Sequence, residues 1–196
     1  MARHGGPSFR KDGKMKTLYF AYGSNMNNSQ MAERCPKANN LGAAVLKNWG
    51  LRERLHADIE KSKGEEVHGV LWGVTRECLG SLDRYEGFPS YYIKRLVSVK
   101  MEGCEAYVKA IVYIMNRKMS NLRDEFEFYP EYALACSEGA IENNVPVDKL
   151  YTNCIDKYDW EAEEEEKEEE DWDEEDEEEW WFEEIEEEKY YEGEIK

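Results

Sequence analysis

The sequence of 196 residues contains no long apolar run, and this absence excludes several classes of protein. A transmembrane helix needs about 18 consecutive apolar residues, so we expect no membrane-spanning segment and no membrane partner. The first residues also lack the apolar segment of a secretory signal, which favours a cytoplasmic protein.

Cysteine and histidine patterns give no sign of a disulfide framework or a metal site. The five cysteines are widely spaced, odd in number and without a C-x-x-C pair, which is typical of a reducing compartment. The three histidines, His4, His56 and His68, match no metal-ligand spacing. We therefore predict no dedicated metal site.

A surplus of positive charge is also missing, and the negative charge is concentrated at one end. The net charge is −18, but residues 161–196 alone carry 23 acidic and three basic side chains. Residues 1–160 are close to neutral, with a charge of +2. No basic surface is predicted, so we expect no nucleic-acid partner.

The distribution of charge along the chain divides it into three parts. Residues 1–16 form a basic arm that we expect to be disordered, 17–158 a globular domain, and 159–196 an acidic tail containing aromatic residues. Long blocks of like charge repel themselves and rarely fold alone. The tail is either solvated and disordered, an interaction segment for a basic protein partner, or a segment that contacts the arm. The sequence leaves these alternatives open.

Periodicity within the domain predicts short strands separated by helices. Strands are expected at 17–22, at 41–60 on either side of a turn at 48–50, and at 67–74, 91–99 and 105–114. Helices are expected at 30–34, 76–86, 131–142 and 148–157, and polar loops at 61–66 and 116–129. This order indicates an α+β fold: a small mixed, mostly antiparallel β-barrel with flanking helices.

The first candidate site is the segment Tyr22-Gly23-Ser24-Asn25, which joins a strand to a helix. Glycine permits a tight turn there, and exposed N–H groups at such a turn can bind an anion such as a carboxylate. The alternative is an ordinary turn with a capping residue.

The second candidate is Glu86, which ends a helix just before Gly87. A carboxylate at a helix C-terminus faces the unfavourable end of the helix dipole. If the side chain is also partly buried, its pKa rises, which suits a general acid or base. The alternative is a solvated surface glutamate.

A third group lies on one face of the helix at 131–142. Tyr132, Cys136 and Gly139 follow i, i+4, i+7 spacing, a pattern that core packing explains. No histidine lies near Cys136 in the sequence, so we do not expect a nucleophilic cysteine.

Together these segments resemble the γ-glutamylcyclotransferase family. The similarity covers about residues 17–155 and includes Tyr22-Gly23-Ser24-Asn25, Leu82-Asp83-x-x-Glu86-Gly87 and Gly139-Ala-x-Glu-Asn143. Asn25 differs from the leucine of the glutathione-specific branch. Lys94 and Asn144 depart from the arginine and the glycine that the family pattern leads us to expect, which leaves the leaving group open.

The resemblance implies a β-barrel enzyme that releases 5-oxoproline from a γ-glutamyl-amine or γ-glutamyl-amino acid and that requires no metal or organic cofactor. It implies that the turn of Tyr22, Gly23, Ser24 and Asn25 holds the α-carboxylate, that Glu86 is the acid/base, and that Tyr132 lines the pocket. The alternative function is a non-catalytic binding protein of the same fold that acts through its acidic tail.

Overall fold

The computed structural model describes residues 17–120 and 127–157. These residues lie almost wholly within one compact unit, Met1–Ile155. The predicted arm at 1–16 and the acidic tail at 159–196 lie outside the described residues. In the parts that are described, no helix is both long and apolar enough to cross a membrane.

Five strands form a closed barrel. They are β1 (Thr17–Ala21), β2 (Asn39–Arg52), β3 (Asp58–Val74), β4 (Tyr92–Met101) and β5 (Tyr107–Met115). Their order around the barrel is β1-β3-β2-β4-β5. The barrel closes through a parallel contact of β1 with β5, where Tyr19 is paired with Ile111, and the other pairings are antiparallel. The predicted fold class is confirmed.

The helices connect the strands and pack outside the barrel. They are a 3-10 turn (Ser24–Met26), α1 (Asn28–Arg34), α2 (Arg76–Tyr85), α3 (Arg117–Ser120), α4 (Pro130–Glu142) and α5 (149–157). The Asn27 side chain accepts a hydrogen bond from Gln30 N and so caps α1. Thr75 does the same for α2 by accepting from Cys78 N.

Three predictions about connections were wrong. Residues 61–66 belong to β3, because the far ends of β2 and β3 form a ribbon whose polar side chains are mostly exposed and so show no apolar alternation. The expected turn at 48–50 lies within β2, where Asn48 has a φ of 61° beside a shift in register. The expected loop at 116–129 is wrong only in part: Arg117–Ser120 form α3, 127–129 are loop, and 121–126 lie outside the described residues.

The core fills the barrel and extends beneath the helices. Strand residues that are fully buried include Phe20, Leu71 and Val112. Tyr151 of α5 is also buried, and its hydroxyl donates to the carbonyl of Tyr22 over 2.9 Å. This bond fixes α5 to the end of β1, where the chain enters the 3-10 turn.

Candidate active site

A cavity of about 550 Å³ opens where β1 meets the 3-10 turn and the C-terminal end of α2. Its wall contains every site residue that the sequence predicts: Tyr22, Gly23, Ser24, Asn25, Glu86 and Tyr132. The remaining lining residues are Tyr19, Leu55, His56, Ala57, Arg84, Tyr85, Gly87, Tyr91, Tyr92 and Tyr113. The fold therefore brings the three separate sequence motifs to one concave surface. Glu86 is the sole acidic side chain among the described residues of that surface.

The 3-10 turn presents backbone donors at the cavity. Its first internal hydrogen bond runs from Met26 N to Gly23 O over 2.8 Å, so the earlier N–H groups of Ser24 and Asn25 have no acceptor within the turn. Both residues are buried. This arrangement can bind an anionic group of a ligand.

Glycine is required at position 23 for a reason that the sequence does not reveal. We expected a tight-turn conformation, but its φ of −116° is open to other residues. A Cβ atom there would instead lie 2.7 Å from the hydroxyl oxygen of Tyr132. A side chain at position 23 therefore requires either the turn or the Tyr132 side chain to move.

Two tyrosines fix the walls of the cavity. Tyr22 donates from its hydroxyl to the carbonyl of Tyr113 over 2.7 Å, which ties the end of β1 to β5. The hydroxyl of Tyr132 accepts from Ala57 N over 3.1 Å, and its ring packs against His56 and Phe128. Tyr132 thus lines the cavity and also takes part in core packing.

Glu86 stands at the end of α2. Its backbone N–H donates to Leu82 O over 2.8 Å, and Gly87 follows with a φ of +60°, a conformation that favours glycine. The side chain is only partly exposed, and burial raises the pKa of its carboxyl group to about 7. The positive charge of Arg34 and a hydrogen bond from Asn25 oppose this rise in pKa. Glu86 can therefore exchange a proton near neutral pH.

Arg34 is a functional candidate that the sequence analysis missed. One of its nitrogens donates to Asn25 Oδ1 over 2.6 Å, and another donates to the hydroxyl of Tyr85 over 2.5 Å. Asn25 Nδ2 in turn donates to Glu86 Oε1 over 2.8 Å. Arg34 ends an ordinary polar helix, so only the three-dimensional arrangement connects it with Glu86.

Asp83 anchors the helix that carries Glu86. Its carboxylate accepts from the hydroxyl of Tyr113 over 2.6 Å and pairs with Lys94 over 2.7 Å. These contacts tie α2 to β4 and β5. Lys94, which departs from the arginine expected from the family pattern, therefore serves as the charge partner of Asp83.

Other reactive side chains show no comparable activation. Burial raises the pKa of the Cys136 thiol to about 12, so the thiol is neutral at physiological pH, in line with the expectation that it is no nucleophile. Across residues 17–120 and 127–157, no three His, Cys, Asp or Glu side chains come together as metal ligands.

Comparison with known proteins assigns the chain to a family. Residues 19–133 match the family model described as "Gamma-glutamyl cyclotransferase, AIG2-like". The chain is 30% identical to a γ-glutamylcyclotransferase of Bos taurus, over 87% of this chain and 95% of that protein. It is 32% identical to the Mus musculus protein of the same name, over 66% of this chain and 72% of that protein.

A solved structure of a protein named "Gamma-glutamyl cyclotransferase" has the same fold. It superposes with a TM-score of 0.62 at 27% sequence identity, covering 70% of this chain and 85% of that chain. The family that the sequence motifs suggest is thereby confirmed. The chain belongs to the γ-glutamyl cyclotransferase, AIG2-like family and is an enzyme of the γ-glutamylcyclotransferase type.

Proposed function

We propose that the protein converts a γ-glutamyl-amine or γ-glutamyl-amino acid to 5-oxoproline and the free amine, with Glu86 as general base and then general acid. The observation that carries this proposal is the placement of Glu86. It is the acidic side chain of the described cavity wall, and the pKa of its carboxyl group is about 7. A group with such a pKa takes up and releases a proton readily at neutral pH.

The proposed reaction moves protons from the α-amino nitrogen of the substrate to the leaving nitrogen. The α-amino group of the substrate is mostly protonated at neutral pH, and the Glu86 carboxylate removes one proton to make the nitrogen nucleophilic. The nitrogen then attacks the γ-carbonyl carbon and forms the new C–N bond. When the original bond from the γ-carbon to the leaving nitrogen breaks, Glu86 returns a proton to that nitrogen. The new ring nitrogen then loses its second proton, and the released amine takes up a proton and leaves as an ammonium ion. The reaction requires no cofactor because only protons are exchanged with the protein.

The turn at the end of β1 is proposed to hold the α-carboxylate of the γ-glutamyl group. The N–H groups of Ser24 and Asn25 point to this role because the turn itself offers them no acceptor. Fixing the carboxylate there bends the substrate so that its amine approaches its own γ-carbonyl group. Such an intramolecular attack avoids most of the entropic cost of bringing two reactants together.

The leaving group is proposed to extend toward the mouth of the cavity. Tyr85 and Tyr91 line this region and are exposed, at 53% and 46% of their surfaces. Arg84 lies beside them in the cavity wall. These side chains can contact either an amine or an amino acid, so the proposal covers both classes of substrate.

The test is direct. The purified protein is incubated with γ-glutamyl-amino acids and γ-glutamyl-amines, and the release of 5-oxoproline is measured by mass spectrometry. The proposal expects catalytic release from at least one class. Binding of these compounds without any turnover would instead favour a non-catalytic protein of this fold.

A further inference from the structure

The orientation of the Asn25 amide is determined by Arg34. An arginine only donates hydrogen bonds, so the Asn25 atom that lies 2.6 Å from Arg34 is the oxygen. The amide nitrogen must then face the other way, toward Glu86 Oε1 at 2.8 Å and the hydroxyl of Tyr19 at 2.9 Å. Asn25 therefore donates to both groups, and the Tyr19 oxygen is an acceptor in this contact.

Tyr19 consequently has a hydroxyl proton for another partner. The residue is only 3% exposed and contributes to the cavity wall. Within the described part of the chain, no atom accepts a hydrogen bond from this hydroxyl. Burial keeps the pKa of the phenol well above its usual value, so the proton is retained at neutral pH.

Three other phenols of the same wall, those of Tyr22, Tyr113 and Tyr92, differ in this respect. Tyr22 donates to the carbonyl of Tyr113, Tyr113 donates to Asp83, and Tyr92 donates to the carbonyl of Ala57. Their protons are thus used inside the protein. The Tyr19 hydroxyl is buried and accepts a hydrogen bond from Asn25, and its own proton remains available for a ligand.

We propose that the Tyr19 hydroxyl is a catalytic hydrogen-bond donor to the γ-carbonyl oxygen of the substrate as that oxygen acquires negative charge. This inference rests on the proposed function. One nitrogen, Asn25 Nδ2, contacts both Glu86 and Tyr19, so the two groups stand side by side. Glu86 serves the nitrogens bonded to the γ-carbon, and a donor beside it is placed for the oxygen on the same carbon.

The test is Tyr19→Phe, assayed for 5-oxoproline release over a range of substrate concentrations. Removing one donor to a developing oxyanion is expected to lower kcat by roughly 10²–10³-fold with little change in KM. The loss of activity at acidic pH, which we expect from protonation of Glu86, should persist in this variant because Glu86 is still present. Thermal unfolding of the variant shows whether the fold is retained.

Tyr92→Phe is the matched variant, since it deletes a hydroxyl of the same wall whose proton goes to Ala57. Its kcat should fall much less than that of Tyr19→Phe. A Tyr19→Phe enzyme with kcat within threefold of wild type would overturn the inference. A rise in KM with unchanged kcat would also overturn the inference, because the hydroxyl would then bind the substrate no more strongly in the transition state than before it. If the wild type releases no 5-oxoproline, the proposed function itself fails and the inference fails with it.

Discussion

Asn25 donates a hydrogen bond of 2.8 Å to the carboxylate of Glu86, although the two residues lie 61 positions apart in the chain. One of these residues comes from the turn after β1 and the other from the end of α2. The contact couples the proposed binding turn to the proposed acid/base. It also stabilises the charged form of Glu86, against the effect of burial.

The pH dependence of activity should show the pKa of Glu86, which burial raises and which both the charge of Arg34 and the hydrogen bond from Asn25 lower. Burial raises the pKa of Glu86 to about 7, so below that pH the carboxyl group is protonated and cannot accept a proton from the substrate. We expect kcat/KM to rise with pH through about 7 and then level off. Initial rates measured between pH 5 and 9, in buffers of constant ionic strength, check this.

Arg34→Met should move that profile. The Arg34 cation lowers the pKa of Glu86, so its removal should shift the acidic limb to higher pH and reduce activity at pH 7. Lys37→Met is the matched control, because it removes a positive charge from an exposed lysine that pairs with Glu77. If the pH at which activity is half-lost on the acidic side is the same in Arg34→Met and wild type, Arg34 does not lower the pKa of Glu86.

Gly23→Ala tests the close approach of the turn to α4. The added Cβ would lie 2.7 Å from the Tyr132 hydroxyl oxygen, so either the turn or the tyrosine must move. We expect KM for the γ-glutamyl substrate to rise at least about tenfold, which corresponds to roughly 1.4 kcal/mol of lost binding. In Gly80→Ala, where a Cβ meets no atom within 4 Å, KM should stay near wild type.

The double variant Gly23→Ala/Tyr132→Phe distinguishes the cause. Removing the hydroxyl oxygen relieves the contact, so part of the lost binding should return. Failure of the double variant to improve on Gly23→Ala would show that the backbone of the turn, and not the contact with Tyr132, requires glycine.

Truncation after Tyr158 should leave turnover intact. Every described residue of the cavity wall lies between Tyr19 and Tyr132, and the cut retains Tyr151, which is buried against Tyr22. We expect kcat and KM close to those of the full chain, measured in the same assay. The domain boundary is misplaced if this shortened protein unfolds or loses most of its activity.

A cut after Val147 is the informative comparison. It removes Tyr151, whose hydroxyl donates to the carbonyl of Tyr22 over 2.9 Å. Loss of a large buried side chain and of this bond should lower the midpoint of thermal unfolding substantially. A stable protein after this second cut would show that α5 is dispensable.

Periodicity predicts the barrel, and the resemblance to the family, which rests on local motifs, predicts residues that line the cavity. The segment Tyr22 to Asn25 and the Asp83 to Gly87 helix end each combine a turn or cap pattern with polar side chains. The roles proposed for Arg34 and Tyr19 have no such signal, since they depend on which atoms of Asn25 face them in three dimensions. For the same reason, the requirement for Gly23 becomes clear only when α4 is in place.

The exposed β2–β3 ribbon shows another limit of sequence patterns. Residues 61–66 are polar on both sides because both sides meet solvent, so periodicity predicts a loop where a strand continues. The strand is held by its pairing with β2, including Lys47 with Glu66 and Trp49 with Lys61. Pairing across the ribbon, and not burial, determines its structure.

Comparison of Glu86→Gln with the wild type is the most direct test of the central claim. Glutamine keeps the shape and can still accept a hydrogen bond from Asn25, but it cannot exchange the proton. Release of 5-oxoproline should fall by roughly 10²–10⁴-fold while the substrate still binds. Glu77→Gln, which changes an exposed glutamate of the same helix, should retain wild-type turnover. Near-normal turnover of Glu86→Gln in this assay would contradict the assignment of Glu86 as the acid/base.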